Sequence, residues 1–191
     1  MIRKKRNLRI LDFDVETFSA GFADPNWVPQ RISCIAWSWI GKSLVRYETR
    51  RSGAKEMIGY FLEDYEQADM VTGHNLLRFD LPVLNADMIR LGMGKLSEKL
   101  VQDTMKLPKT RGLKKGQGNL STMLGVRAKK RDMDWADWDA AYEWDAVIAG
   151  DVFVDWSKVI ERCVTDVKQH KQLRKRLLEE GLLKPPVFWK P

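Results

Sequence analysis

Apolar and polar positions along Leu8 to Asp14 (LRILDFD) place β-branched and apolar residues directly before acids, a pattern that predicts a first strand. A second strand is predicted over Ile32 to Ile40 (ISCIAWSWI) and a third over Leu44 to Glu48, joined as a hairpin through Gly41-Lys42. Met57, Ile58, Phe61, Leu62 and Tyr65 recur at helical spacing, so Lys55 to Tyr65 reads as a helix. Met70 to Thr72 is a short strand entering Gly73-His74-Asn75. Leu81 to Leu91 is helical again and ends at Gly92 and Gly94. Leu100 to Asp103 follows as a short strand, and Leu120 to Leu124 as a short helix stopped by Gly125. The last helix is predicted from Asp155 to Glu180, with Trp156, Val159, Ile160, Cys163, Val164, Val167 and Leu173 as its apolar stripe. Strands first, then strands mixed with helices, imply an α/β or α+β sheet with a mixed edge.

Asp14, Glu16, Asp80 and Asp166 interrupt this pattern where burial is expected. Asp14 and Glu16 stand at i, i+2 on the first strand and share a face, so two carboxylates lie side by side and a cation between them is the natural compensation. Asp12 shares that face by parity and sits deeper in the apolar run, where it needs a partner of another kind. Asp80 opens the helix that Leu81 and Pro82 begin, which also suits a helix N-cap. Asp166 lies between Val164 and Val167 on the edge of the last helix's apolar stripe. Carboxylates from three separate elements suit a hard divalent cation, Mg²⁺ or Mn²⁺, and neither Cys nor His occurs in zinc-type spacing. Two such ions about 3.5 to 4 Å apart can activate a water and stabilise the leaving oxygen in phosphodiester cleavage.

Composition narrows the setting. At 191 residues the chain fits one domain, residues 1–191, with a basic N-terminal segment (1–7) and a Pro-rich tail (182–191) expected to pack by Phe188 and Trp189 or to dock a partner. No apolar run approaches the roughly 20 residues that span a bilayer, and MIRKKRNLRI lacks the features of a secretory signal. With two cysteines, Cys34 and Cys163, a disulfide framework is not expected and a reducing cytoplasm is the simpler setting. The net charge of +7 points to a polyanionic partner. Arg3 to Arg9, Lys106 to Lys115 and Arg127 to Arg131 are the expected phosphate-facing clusters, and Lys106 to Gly118 reads as a mobile basic loop. Trp37 and Trp39 read as packing residues, as do Trp135, Trp138 and Tyr142 at i, i+3, i+7. Phe18, Phe22 and Trp27 are better placed to stack on bases.

The acids and their surroundings resemble a known family. Asp14-Val15-Glu16-Thr17, then Asn75 followed at four by Phe79-Asp80, then Asp166 in a late helix, resemble the three motifs of the DEDD, or DnaQ-like, 3'-to-5' exonucleases of the ribonuclease H-like superfamily. Cys163 to Val167 (CVTDV) is similar to the third motif in the exonuclease domain of family B DNA polymerases, and Asp103-Thr104-Met105 and Leu120 to Gly125 resemble its connecting elements. The resemblance runs from about Leu8 to Leu178. It implies an α/β, ribonuclease H-like fold, a central mixed β-sheet flanked by α-helices, and removal of nucleotides from the 3' end of DNA by two metal ions.

Carried over by position, Asp14, Glu16 and Asp166 would hold the first ion. Asp14 would be shared with the second, which Asp80 would reach directly or through water. Asn75 and Phe79 would line the pocket for the terminal nucleotide, and Val15 and Thr17 would contact it. The family places a tyrosine four, or a histidine five, before the last aspartate; here those positions hold Arg162 and Glu161. Arg162 then binds a phosphate, or His170 or His74 supplies an alternative base, or Arg162 and Asp166 form a helix ion pair in a silent protein. The implied partners are single-stranded or frayed 3' ends of DNA and a DNA polymerase or other replication protein, in proofreading or end-trimming. RNA or short oligonucleotides are the alternative substrate. A small domain of this kind fits a phage or bacterial accessory subunit.

Overall fold

A computed structural model describes residues 8–18, 31–108, 113–129, 131–133 and 156–191. The expected stripe Trp135, Trp138 and Tyr142, the stacking candidates Phe22 and Trp27, and residues 1–7 lie outside the described residues. Among the described residues no helix is long and apolar enough to cross a membrane.

The chain forms β1 (Ile10–Phe18), β2 (Arg31–Trp39) and β3 (Arg46–Thr49), then α1 (Ala54–Gln67), β4 (Met70–Gly73), α2 (Asp80–Arg90) and β5 (Lys99–Asp103). α3 (Gln117–Met123), α4 (Trp156–Glu179) and β6 (Val187–Trp189) follow, and a single 3-10 turn, Arg50–Ser52, lies between β3 and α1. The strands make one six-stranded sheet in the order β3-β2-β1-β4-β5-β6. β1, β4 and β5 run parallel at its centre, while β2 and β3 on one side and β6 on the other are antiparallel to their neighbours.

Most boundaries fall within one or two residues of those expected from periodicity. β1 differs: it continues four residues past Asp14, because β2 supplies a hydrogen-bonded ladder that local propensity does not register. The register slips between Glu16 and Thr17, whose partners are Cys34 and Ile32, so Ser33 is an extra residue in β2. A bulge at that point re-aims the end of the strand. The tail also differs, since Val187–Trp189 adds an edge strand to β5 with Trp189 packed against the core. Leu107, within the expected mobile loop, is buried with Leu120, Leu173 and Leu177.

The two faces of the sheet have different chemistry. Leu11, Phe13 and Val15 of β1 enter a core with Phe61 and Tyr65 of α1 and Leu81 and Leu84 of α2. Phe13 and Phe61 have ring centroids 5.0 Å apart. Trp37 joins this core and its indole donates to Asp64 at 2.8 Å. The opposite face is covered by α4, whose Val159, Cys163 and Val167 pack on Cys34 and Ala36 of β2. Both cysteines are buried free thiols, and burial pushes Cys163 well above the usual thiol range. Asp12, Asp14 and Glu16, by strand parity, lie on this second face.

Gly73 ends β4 where it passes β1. A Cβ there would lie 2.7 Å from Leu76 and 2.8 Å from the Phe13 carbonyl oxygen, which is backbone and cannot turn aside. Gly73→Ala is expected to destabilise the fold by about 1 to 3 kcal/mol, the usual range for overpacking. A urea midpoint that does not fall would remove this close approach as a constraint.

Candidate metal centre

β1 and α4 meet through two polar stripes. Asp12, Asp14 and Glu16 alternate along one face of the strand, and Arg162, Asp166 and His170 follow at i, i+4 and i+8 along one line of the helix. Eight helical residues rise about 12 Å and four strand residues about 13 Å, so the stripes stay in step over three rungs. At one end Arg162 Nε lies 3.3 Å from Glu16 Oε1 and 3.1 Å from Asp166 Oδ2. In the middle, ligand atoms of Asp14, Glu16 and Asp166 lie within 4.8 Å of one another. At the other end His170 Nδ1 is 2.7 Å from Asp12 Oδ2.

Asp80 reaches the same region from the loop after β4. Asn75 adopts φ 69°, a left-handed conformation that Asn tolerates better than most residues. Asp103, at the end of β5, accepts the backbone N–H of Asn75 at 2.8 Å, of Leu77 at 3.2 Å and of Met105 at 2.9 Å. This turn delivers Asp80 as the first residue of α2. Phe79 holds the cap position with no side-chain cap hydrogen bond, so the N-cap role considered for Asp80 is not what it does. Its Oδ1 instead accepts the Val15 N–H at 3.1 Å, tying α2 to the middle of β1.

The electrostatics are those of crowded acids around one cation. Unit charges 4.8 Å apart repel by about 3 kcal/mol at an effective dielectric near 20, more than an exposed ion pair returns. Burial, and then the charges of Asp80, Glu16 and Asp166, push Asp14 well above the usual carboxylate range, with Arg162 opposing. Burial likewise pushes Asp80 up to about 8, against the hydrogen bond from Val15. All-oxygen donors in this arrangement fit a hard divalent cation such as Mg²⁺ or Mn²⁺, which would neutralise what Arg162 leaves uncompensated. The centre sits at the carboxyl ends of the parallel strands, where β1 is flanked by an antiparallel and a parallel neighbour, the usual place for a site in an open α/β sheet.

No family model and no curated protein matches the chain. Among solved structures it is similar to the family B DNA polymerase from the hyperthermophilic archaeon Pyrobaculum calidifontis, with a TM-score of 0.64 and 18% identity over 91% of this chain. The chain covers 25% of that polymerase's length. At this identity the likeness speaks for the fold. The fold is α/β and ribonuclease H-like.

Within that fold the other expected site residues have distinct surroundings. Val15 has a buried side chain and its N–H is taken by Asp80, which leaves neither group for a nucleotide. Thr17 is buried at the end of β1, and for Phe18 only the backbone position is described. Asn75 is half-buried, and Phe79 is partly buried against the α1 and α2 core. His170, considered as an alternative base, is the partner Asp12 required. It is 2% exposed, and its second ring nitrogen lies 2.9 Å from Thr104 Oγ1, so both nitrogens are engaged away from the carboxylate cluster. Thr104 also lies 2.9 Å from His74 Nδ1 and donates to the Gly73 carbonyl at 3.2 Å. The result is a chain from buried Asp12, His170 and Thr104 to half-buried His74, under the turn that carries Asn75 and Asp80. Asp103 and Thr104 were legible only as connecting residues, because their role depends on backbone groups from another strand's loop.

Two outcomes follow from this geometry. Asp80 holds its proton in the folded chain up to about pH 8, whereas an unfolded Asp loses it near 3.8. The folded state therefore binds the extra proton between those values, and stability falls as pH rises through them. In EDTA, Asp80→Asn should flatten this fall and melt higher than the parent chain at pH 8, each kcal/mol raising Tm by about 2 to 4 °C. Equal pH slopes for the two proteins would refute the crowding argument. His170→Leu strands the Asp12 carboxyl and should lower stability by about 1 to 3 kcal/mol, read from denaturant unfolding.

Proposed function

We propose that this chain is a metal-dependent 3'-to-5' exonuclease that hydrolyses phosphodiester bonds at 3' ends of DNA, in proofreading or end-trimming during replication. The observation that carries the reading is the meeting of Asp14, Glu16 and Asp166 on the α4 face of β1, with Asp80 tied to the same strand, in a ribonuclease H-like sheet. In this reading Asp14, Glu16 and Asp166 hold one Mg²⁺ or Mn²⁺, and Asp14 with Asp80 serves a second. Two such ions, when bound, lower the pKa of a water and offset charge on the leaving oxygen.

The chain's own residues supply the rest. The Asp103 cradle holds the Asn75 to Asp80 turn in place, and in this reading Asn75 and Phe79 line the pocket for the terminal nucleotide. A groove of about 450 Å³ beside α4 is lined by Arg127, Lys175 and Arg176 together with Glu179, which pairs with Arg176 at 3.0 Å and Lys175 at 3.9 Å; in this reading Arg127 is the cation it offers to a phosphate backbone. The setting is the cytoplasm, and the partners are a single-stranded or frayed DNA end and a polymerase or other replication protein.

One observation favours a second reading. Arg162 bridges Glu16 and Asp166 where the resembled family has no arginine, which suits a catalytically weak nucleic-acid-binding or polymerase-docking module. A same-fold nuclease acting on RNA is the third.

Single-stranded DNA and RNA labelled at either end, incubated with Mg²⁺, Mn²⁺ or EDTA, separate these readings. Stepwise loss from the 3' end of DNA, dependent on metal, is expected, and Asp14→Ala or Asp166→Ala should lower it at least about a hundredfold. No cleavage with either ion would leave the docking module. Cleavage that survives both substitutions would sink the site. Arg162→Tyr asks about the departure directly: a rate gain marks a degraded centre, and a loss marks a role for Arg162 itself.

A further inference from the structure

Arg162 stands at ion-pair distance from two carboxylates and makes one hydrogen bond. Its Nε faces Glu16 and Asp166 at 3.3 and 3.1 Å, and its Nη1 donates to the Arg131 carbonyl at 2.5 Å. That carbonyl is itself fixed, because Arg131 N–H donates to Thr165 Oγ1 at 2.9 Å and its guanidinium pairs with Glu161 at 3.2 Å. The Arg162, Glu16 and Asp166 side chains keep only 17%, 12% and 8% of their exposure, so water screens these pairs weakly.

We propose that Arg162 is a latch on the metal centre: its guanidinium occupies the Glu16 and Asp166 carboxylates, and the first divalent ion enters by exchange for it. The inference rests on reading the cluster as a metal centre. A guanidinium brings one delocalised charge to these oxygens, and a divalent ion brings two at shorter distance. The ion therefore wins at sufficient concentration. The displaced side chain keeps the Arg131 carbonyl as its acceptor, so opening the latch leaves it one hydrogen bond. An arginine at this position tunes the ion concentration at which the centre loads, which a tyrosine or histidine would not do. If the latched form is populated about nine times in ten, apparent affinity for the first ion falls about tenfold.

The test is titration with Mn²⁺ alone, free ion being followed by electron paramagnetic resonance, with no nucleic acid present. Arg162→Gln keeps length and a donor but removes the charge, and its first-site Kd should be about tenfold lower than that of the parent chain. Arg162→Lys keeps the charge on a group that cannot span both carboxylates, and should fall between them. Asp14→Asn should weaken binding in every background. An Arg162→Gln Kd equal to or above the parent value, with Asp14→Asn still weakening it, overturns the latch and leaves the metal centre standing. Absence of binding in all variants overturns both. Should Arg162→Gln fail to fold by circular dichroism, Arg162→Lys decides, tighter binding supporting the latch and unchanged or weaker binding overturning it.

Discussion

Four carboxylates and one guanidinium confined between a strand and a helix are the constraint on which the rest of this structure depends. Asp14 is pushed well above its ordinary range by burial and by Asp80, Glu16 and Asp166, and one arginine cannot balance them. A cluster of this kind disfavours the closed fold and persists only where surrounding structure holds it. Here the holding comes from both sides of the sheet. On the far face Leu11, Phe13 and Val15, interleaved with the acids, sink into the aromatic and aliphatic core of α1 and α2, each such side chain contributing about 1.5 to 3 kcal/mol. The same strand thus supplies the strain and the burial that offsets it.

The site is also built in layers of decreasing wetness. Arg162 and Glu16 keep some contact with solvent, whereas Asp12 and His170 at the other end of the ladder are 0% and 2% exposed. The dry end is structural. Its imidazole takes the carboxylate on one nitrogen and Thr104 on the other, and Thr104 supports the turn that brings Asp80 to β1. Asp103 performs the matching task from β5 by gathering three backbone N–H groups of the adjoining loops. Positions that carry no chemistry of their own therefore set where the carboxylates stand, and the bulge at Ser33 adjusts the last of them.

Element identity was legible because it is local. An apolar, β-branched run leading into acids marked β1, period-3.6 recurrence marked α1, α2 and α4, and acids within apolar runs marked Asp14, Glu16, Asp80 and Asp166 as out of place. The unmarked features share the opposite property. β6 is three residues after two prolines, too short for any period, and exists because β5 offers an open edge. Asp12 and His170 lie 158 residues apart, and nothing in the neighbourhood of either names the other. The His170 ring and the Val15 N–H are each engaged by a distant partner that nothing in their own neighbourhood in sequence names.

The amino-acid order by itself determined where the main helices and the central strands would lie, which face of β1 would be charged, and that carboxylates on three elements needed a common counter-charge. These are consequences of backbone geometry and of the aversion of like charges to burial, and they operate within a few residues. Only the tertiary structure decided which partner each charge received. Eight residues of α4 rise nearly as far as four residues of β1, so Glu16 meets Arg162, Asp14 meets Asp166 and Asp12 meets His170. That match of rises belongs to neither element alone, and it is what turns an excess of acids into a centre.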